Sequence, residues 1–289
     1  MTRGTLHFPD VAFERLPDHR RIAEKALQLL AEDDRVLGLY LAGSFAHGHP
    51  DLYSDIDIYC LVSDADREVA EREHEQFRVS VAPIITEFPA THLGDPHQFI
   101  VFYEASIPVH VDYQYRISEE LVPRAKDKHV RIVLDRTGEL GAWKRRSGDL
   151  PDEVAPTLDD LQYLEDRFWG WCWYAYGKIA RGELWEARDA VEYIRTHVLV
   201  RLGHHLHALR PEGNRQLEFK LDTRLLGILR RTIPPNHTTA SYGDALRQII
   251  DGYTQLFQET ERKYRLGRVR KAKRELIIQA AESTSRGKV

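Results

Sequence analysis

Between Leu41 and Val62 the chain reads LAGSFAHGHPDLYSDIDIYCLV. Two apolar runs flank a polar turn; the first ends in Gly43-Ser44 and the second carries Asp55 and Asp57. Strand side chains alternate between faces, so carboxylates at i and i+2 point the same way, while Ile56 and Ile58 point into the core. Folding alone asks for no such pair, because neighbouring like charges repel and Asp is depleted in strands. A bare D-x-D is ordinarily a solvated edge strand. Its position a fixed short distance behind a Gly-Ser turn, at the end of another apolar run, favours a functional pair instead. A divalent cation accounts for it, since Mg²⁺ takes a few hard carboxylate oxygens together with water and substrate phosphates. The Gly-Ser turn offers backbone N–H groups and the Ser44 hydroxyl to a phosphate chain, and Gly43 lets the backbone approach it closely.

Hydrophobic-Gly-Ser, a spacer of about ten residues, then Asp-hydrophobic-Asp-hydrophobic resembles the signature of the polymerase-β-like nucleotidyltransferases. The form GSFAHG followed by SDID is similar to the aminoglycoside and lincosamide nucleotidyltransferase branch. That branch implies Mg²⁺-dependent transfer of a nucleoside monophosphate, AMP from ATP, to a hydroxyl of a small molecule such as an aminoglycoside or lincosamide antibiotic, hence antibiotic resistance. Two metal ions about 3.5–4 Å apart can stabilise the attacking and leaving oxygens of such a transfer. By resemblance, Asp55 and Asp57 hold the metals that carry the triphosphate.

The family pattern calls for a third carboxylate on a later neighbouring strand. In Val109–Tyr115, VHVDYQY, Val109, Val111, Tyr113 and Tyr115 share one face, and His110, Asp112 and Gln114 the other. Alone this reads as a half-exposed strand with an incidental acid. Beside the Asp55/Asp57 strand, Asp112 is the acid placed to be the third carboxylate. It would be a second-metal ligand or a general base, and the resemblance favours the base. Lys178, after Gly177 on the first helix of the second half, is the candidate to reach the triphosphate, against a solvated lysine at a helix end. Where several relatives carry Lys or Arg, this chain has His47.

The 289 residues, 42% hydrophobic and 30% charged, can bury a core in one large or two modest domains. A net charge of −4 argues against a nucleic-acid partner. Cys60 and Cys172 read as buried thiols of a reducing compartment. With no long apolar run as a leader or a membrane span, the expected location is the cytoplasm, away from any membrane.

The periodicities predict a helix over 18–33 and strands over 35–42 and 54–62. A polar helix over 65–77 precedes strands over 79–88, 99–104, 109–116 and 130–134. This is an α+β pattern: a mixed sheet with helices on one side forming an N-terminal nucleotidyltransferase domain, 1–147. The turn-rich stretch 138–152 reads as the boundary. An α-helical bundle over 148–289 follows, acting by resemblance as acceptor-binding lid. Its expected helices are a long first one through Ile179, then 184–208, 217–230 and 242–271, before a polar tail. Trp169, Trp171, Trp173, Tyr174 and Tyr176 read mainly as bundle core, with room for one to stack on a base. His197, His204, His205 and His207 crowd one helix without a carboxylate or Cys at zinc-ligand spacing. The basic run Arg262 to Arg274 reads as a solvated face. It is the sole support for an RNA or protein acceptor. A non-catalytic nucleotide-binding module is the further alternative, against which the three carboxylates argue. A homodimer is compatible with the resemblance, since some relatives share an active site between subunits.

Overall fold

The computed structural model describes residues 6–9, 13–151, 155–267 and 269–285. Asp152 at the end of the turn-rich stretch, Arg268 in the basic run, and the tail from Arg286 lie outside the described residues. The chain divides into two compact units, Met1–Pro151 and Asp152–Val289.

The first unit is a six-stranded mixed sheet. Its strands are β1 Val36–Leu41, β2 Ile56–Val62, β3 Ile84–Pro89, β4 Gln98–Tyr103, β5 Val109–Arg116 and β6 Arg131–Asp135. Their order across the sheet is β3-β4-β5-β2-β1-β6. All pairs are antiparallel except β2 with β5, which run parallel. Helix α1 (Pro17–Glu32) leads into β1, and the five-residue α2 (Gly43–His47) and α3 (Arg67–Val81) connect β1 to β2 and β2 to β3. Pro17 starts α1, where its missing N–H is no loss. The helix buries Ile22, Ala26, Leu27 and Leu30 in a core with Leu39, Leu41, Ile58, Val111 and Tyr113. Each Leu, Ile or Val among them, fully withdrawn from water, contributes roughly 1.5–3 kcal/mol.

The sequence pattern places helices on one side of the sheet and reads 138–152 as a turn-rich boundary. The structure corrects the first and shows that most of the second is helical. Helix α4 (Glu139–Gly148) occupies the stretch and packs Leu140 and Trp143 against Tyr40, Leu61 and Val130. Tyr40 and Leu61 alternate along their strands with the α1-facing residues, so α4 covers the opposite face. With only two large apolar anchors among charged residues, its stripe is too thin to read by periodicity. Strand β3 also begins later than expected. Val79 and Val81 belong to α3, and Ala82, preceding Pro83, takes an extended conformation (φ −163°) that ends the helix.

The second unit is helical: α5 Leu158–Ala180, α6 Leu184–Ile194, a π-helical turn Arg195–Val200, α7 Arg201–Leu206, α8 Leu217–Lys220, α9 Thr223–Arg231, α10 Thr239–Tyr264 and α11 Glu275–Ser285. Thr157 caps α5 reciprocally with Asp160. Leu161, Leu164, Phe168, Cys172, Ala175 and Ile179 form its buried stripe, and Phe168 stacks on Tyr253 of α10 at 3.7 Å. Trp169 is buried, whereas Trp173 and Tyr174 are about half exposed (54% and 51%), contrary to their reading as core. The expected helix 217–230 is interrupted because Asp222 caps a fresh start at the Leu225 N–H, 2.7 Å away. The expected helix to 271 stops at Tyr264, where Arg265 turns left-handed (φ 52°). Within the described residues, the first part of the expected polar tail is helix α11. Buried Glu165 holds the intervening strap, accepting from the Ala272 N–H at 3.1 Å, Trp169 Nε1 at 3.3 Å and the Tyr253 hydroxyl at 2.5 Å.

Candidate active site

Parallel pairing of β2 with β5 sets Asp57 directly opposite Asp112. Both side chains therefore project from the face opposite the α1 core. Asp55 precedes β2, at the end of a loop shaped by Asp51, which accepts from the Tyr53 N–H at 2.8 Å. One carboxylate oxygen from each of Asp55, Asp57 and Asp112 lies within 4.8 Å of the others. Asp112 is buried and the other two half-buried. At 4.8 Å or less and an effective dielectric near 20, each ionised pair repels by at least about 3.5 kcal/mol. A cation among them turns this repulsion into attraction.

The other wall comes from the end of β1. Leu41 pairs with Ile58, and the Ala42 N–H donates to the Asp57 carbonyl at 3.2 Å, which brings Gly43 against the Asp57 side chain. Gly43 has φ +60°, and a Cβ built there would stand 2.1 Å from Asp57 Oδ2. Both conformation and space require glycine. Next to it, Ser44 Oγ is buried without a hydrogen-bond partner, which is rare for a buried hydroxyl. His47 Nδ1–H donates back to the Gly43 carbonyl at 2.6 Å, and Arg131 Nε donates to the Ala46 carbonyl at 3.1 Å. Both bonds fix the α2 turn.

His110 was not singled out from the sequence. Its Nε2–H donates to Asp112 Oδ1 at 2.8 Å, and its ring stacks on Phe102 at 4.6 Å. Burial lowers its basicity, but the bond to Asp112 and the charges of Asp112, Asp55 and Asp57 outweigh burial and raise it. The signal was present: a His two residues before Asp on the same strand face. Hard, convergent carboxylate oxygens with an unpartnered hydroxyl beside them fit Mg²⁺ and a phosphate chain. Among the described residues this is the one group of acids and histidines arranged to hold a metal ion.

Lys178 lies in the second unit, not among the site's strands. There it donates to Glu183 at 2.8 Å and lies 2.7 Å from Glu186, over the Tyr174 ring at 5.2 Å. Hydrogen bonds from Arg181 and Lys178 lower Glu183 to about 2, and the two glutamates raise Lys178. Of the basic run, Lys263 is spent on the Leu206 carbonyl, Arg270 on Asp166 and Lys271 on Glu261.

Over residues 18–216 the sequence matches streptomycin adenylyltransferase. The chain belongs to that family. It is accordingly a nucleotidyltransferase of the aminoglycoside-modifying branch, and Gly43, Ser44, Asp55, Asp57, Asp112 and Lys178 all fall within the matched range. Among solved structures, the chain is similar to an aminoglycoside 6-adenyltransferase from Bacillus subtilis, at 14% identity and a TM-score of 0.44, covering 91% of this chain and 97% of that one. It is also similar to a nucleotidyltransferase-like protein from Exiguobacterium sibiricum 255-15, at 12% identity and a TM-score of 0.41, covering 85% and 77%. No curated protein matches it. Among the described residues of this family member, no helix is long and apolar enough to cross a membrane.

Proposed function

We propose that this enzyme transfers AMP from ATP to a hydroxyl of an aminoglycoside-type antibiotic, in a Mg²⁺-dependent reaction. The observation that carries the reading is the convergence of three carboxylates beside a glycine turn with an unpartnered buried hydroxyl. Asp55 and Asp57 would hold Mg²⁺, with Asp112 as a third oxygen donor in reach; when bound, the ion supplies charge neutralisation for the triphosphate.

The acceptor oxygen attacks the α-phosphorus, the bond from that phosphorus to the bridging oxygen breaks, and pyrophosphate leaves with the electron pair. Asp112 takes the hydroxyl proton, and His110, engaging Oδ1, keeps the carboxylate oriented with Oδ2 turned to its task. Ser44 donates to a phosphate oxygen, and Gly43 keeps the backbone out of the way. Lys178 is assigned to nucleotide binding. Free, buried Cys60 and Cys172 fit the cytoplasm, where ATP is available. The engagement of Lys263, Arg270 and Lys271 within the chain weighs against an RNA acceptor.

Pyrophosphate release from ATP and Mg²⁺, measured over a panel of aminoglycosides and lincosamides, tests the reading. An acceptor-dependent rate that disappears in Asp57→Asn supports it. Equal background rates in wild type and Asp57→Asn across the panel, or label from ATP appearing on RNA or protein instead, would overturn it.

A further inference from the structure

Within the helical unit lies a cavity of about 310 Å³, lined among others by Trp171, Tyr193, His197, Arg201, His204 and Glu212. All its lining residues belong to the second unit, and the proposed reaction gives it no role. Its walls are aromatic. Trp171 and Tyr193 meet edge to face at 5.2 Å, and the Tyr193 ring lies 4.2 Å from that of His197. The π-helical turn Arg195–Val200 supplies one side, a distortion that recurs at functional sites.

The polar groups of this cavity are unfinished. His204 is fully buried, yet neither ring nitrogen has a hydrogen-bond partner. Arg201 gives Nη2 to Asp160 at 2.8 Å, while its Nε is buried and unpartnered. Buried polar atoms are nearly always satisfied, so two adjacent orphan groups around one cavity mark the place of an absent partner. Burial, with Lys220 nearby, lowers His204, so the ring is neutral and presents one N–H and one bare nitrogen. Glu212 is answered by Lys220 at 2.7 Å. The unmet demand is thus chiefly for a hydrogen-bond acceptor.

We infer that this cavity is a binding site for a small planar aromatic carrying a carboxylate, its ring packed against the Trp171–Tyr193 pair and its carboxylate on Arg201 and His204. The volume stands at the lower end of the about 300–1,000 Å³ typical of ligand pockets. That suits one or two fused rings and is too small to enclose an antibiotic of several sugar rings. Offset or edge-to-face stacking supplies the ring's share of binding, and a charge-assisted bond from guanidinium supplies direction.

Isothermal titration calorimetry of the full-length protein with 2-naphthoate, alongside 2-naphthylmethylamine, tests the assignment without any turnover. Saturable 1:1 binding of the carboxylate, weakened at least tenfold in both His204→Phe and Arg201→Gln, is expected. If His204→Phe fails to fold, Arg201→Gln decides, since that side chain is 30% exposed and its loss leaves the core intact. Absence of saturable binding by wild type, equal affinity in the folded variants, or preference for the amine would each overturn the inference. None of these readouts depends on the nucleotidyl-transfer reading.

Discussion

Replacing Gly43 by Ala imposes two separable penalties. The first is conformational: an L-residue at φ +60° costs about 1–2 kcal/mol. In a unit of this size that lowers the melting temperature by roughly 2–8 °C. The second is a collision, because the new Cβ would lie 2.1 Å from Asp57 Oδ2, against an ordinary contact of about 3.5 Å. The carboxylate must therefore shift by more than about 1 Å, and misplacement on that scale costs on the order of 100-fold in rate. Gly48 provides the control. It is also left-handed (φ +80°), but a Cβ there meets nothing within 4 Å. Gly48→Ala should thus show the same loss of stability with kcat/KM within a few-fold of wild type. Gly43→Ala should add about 100-fold in kcat/KM, equivalent to about 2.7 kcal/mol of transition-state stabilisation. Thermal melts and pyrophosphate release on the two variants separate the effects. Equal activity in both variants would refute the argument that Gly43 exists to make room for Asp57.

Other changes have equally defined outcomes. Asp112→Asn should abolish acceptor-dependent turnover, whereas His110→Phe should lower kcat about 10-fold or more with ATP affinity little changed, as expected of a positioning residue; a His110→Phe enzyme with unaltered kcat would remove that role. Lys178→Ala should raise the KM for ATP, and an unchanged KM in steady-state kinetics would end its assignment to the nucleotide. Burial lowers His205 from its ordinary 6.5 to about 4, so between those values the unfolded chain binds a proton that the folded chain does not. Stability is therefore full above pH 6.5 and falls as pH drops toward 4, by up to about 1.4 kcal/mol per pH unit. Melting curves at pH 7.5 and 5 should show this loss, and His205→Leu should flatten it. Glu165→Ala leaves three donors, from Trp169, Tyr253 and Ala272, without an acceptor inside the bundle. It should destabilise the protein by about 3 kcal/mol, seen as a shift in urea midpoint at unchanged slope.

The elements legible in the sequence are those whose function or burial repeats along the chain. Asp55 and Asp57 were visible because carboxylates at strand spacing have no folding purpose. Asp112 needed more. Its strand was readable, but only the parallel β2–β5 register sets it opposite Asp57, and a register across fifty residues leaves no mark on local periodicity. His110 was in plain view two residues earlier, yet a His on a half-exposed strand face has no pattern of its own; its meaning comes from a 2.8 Å bond to Asp112. Helix α4 was missed for the complementary reason. Gly138, Gly141, Ser147 and Gly148 read as turn chemistry, and the helix is held by what lies beneath it, Leu140 and Trp143 on Tyr40 and Leu61. The strap after Tyr264 inverts this case: a basic, helix-friendly run leaves the helix because Glu165, more than a hundred residues earlier in the chain, accepts the Ala272 N–H. Tertiary partners outvoted propensity in both directions. The same logic bears on His204. The sequence offered a crowd of histidines with no ligand spacing, and their spacing was the wrong question. His204 and His205 both have their two nitrogens buried and unanswered, and what distinguishes His204 is that it also lines the cavity with Trp171, Tyr193 and Arg201, a juxtaposition that exists only in the folded chain.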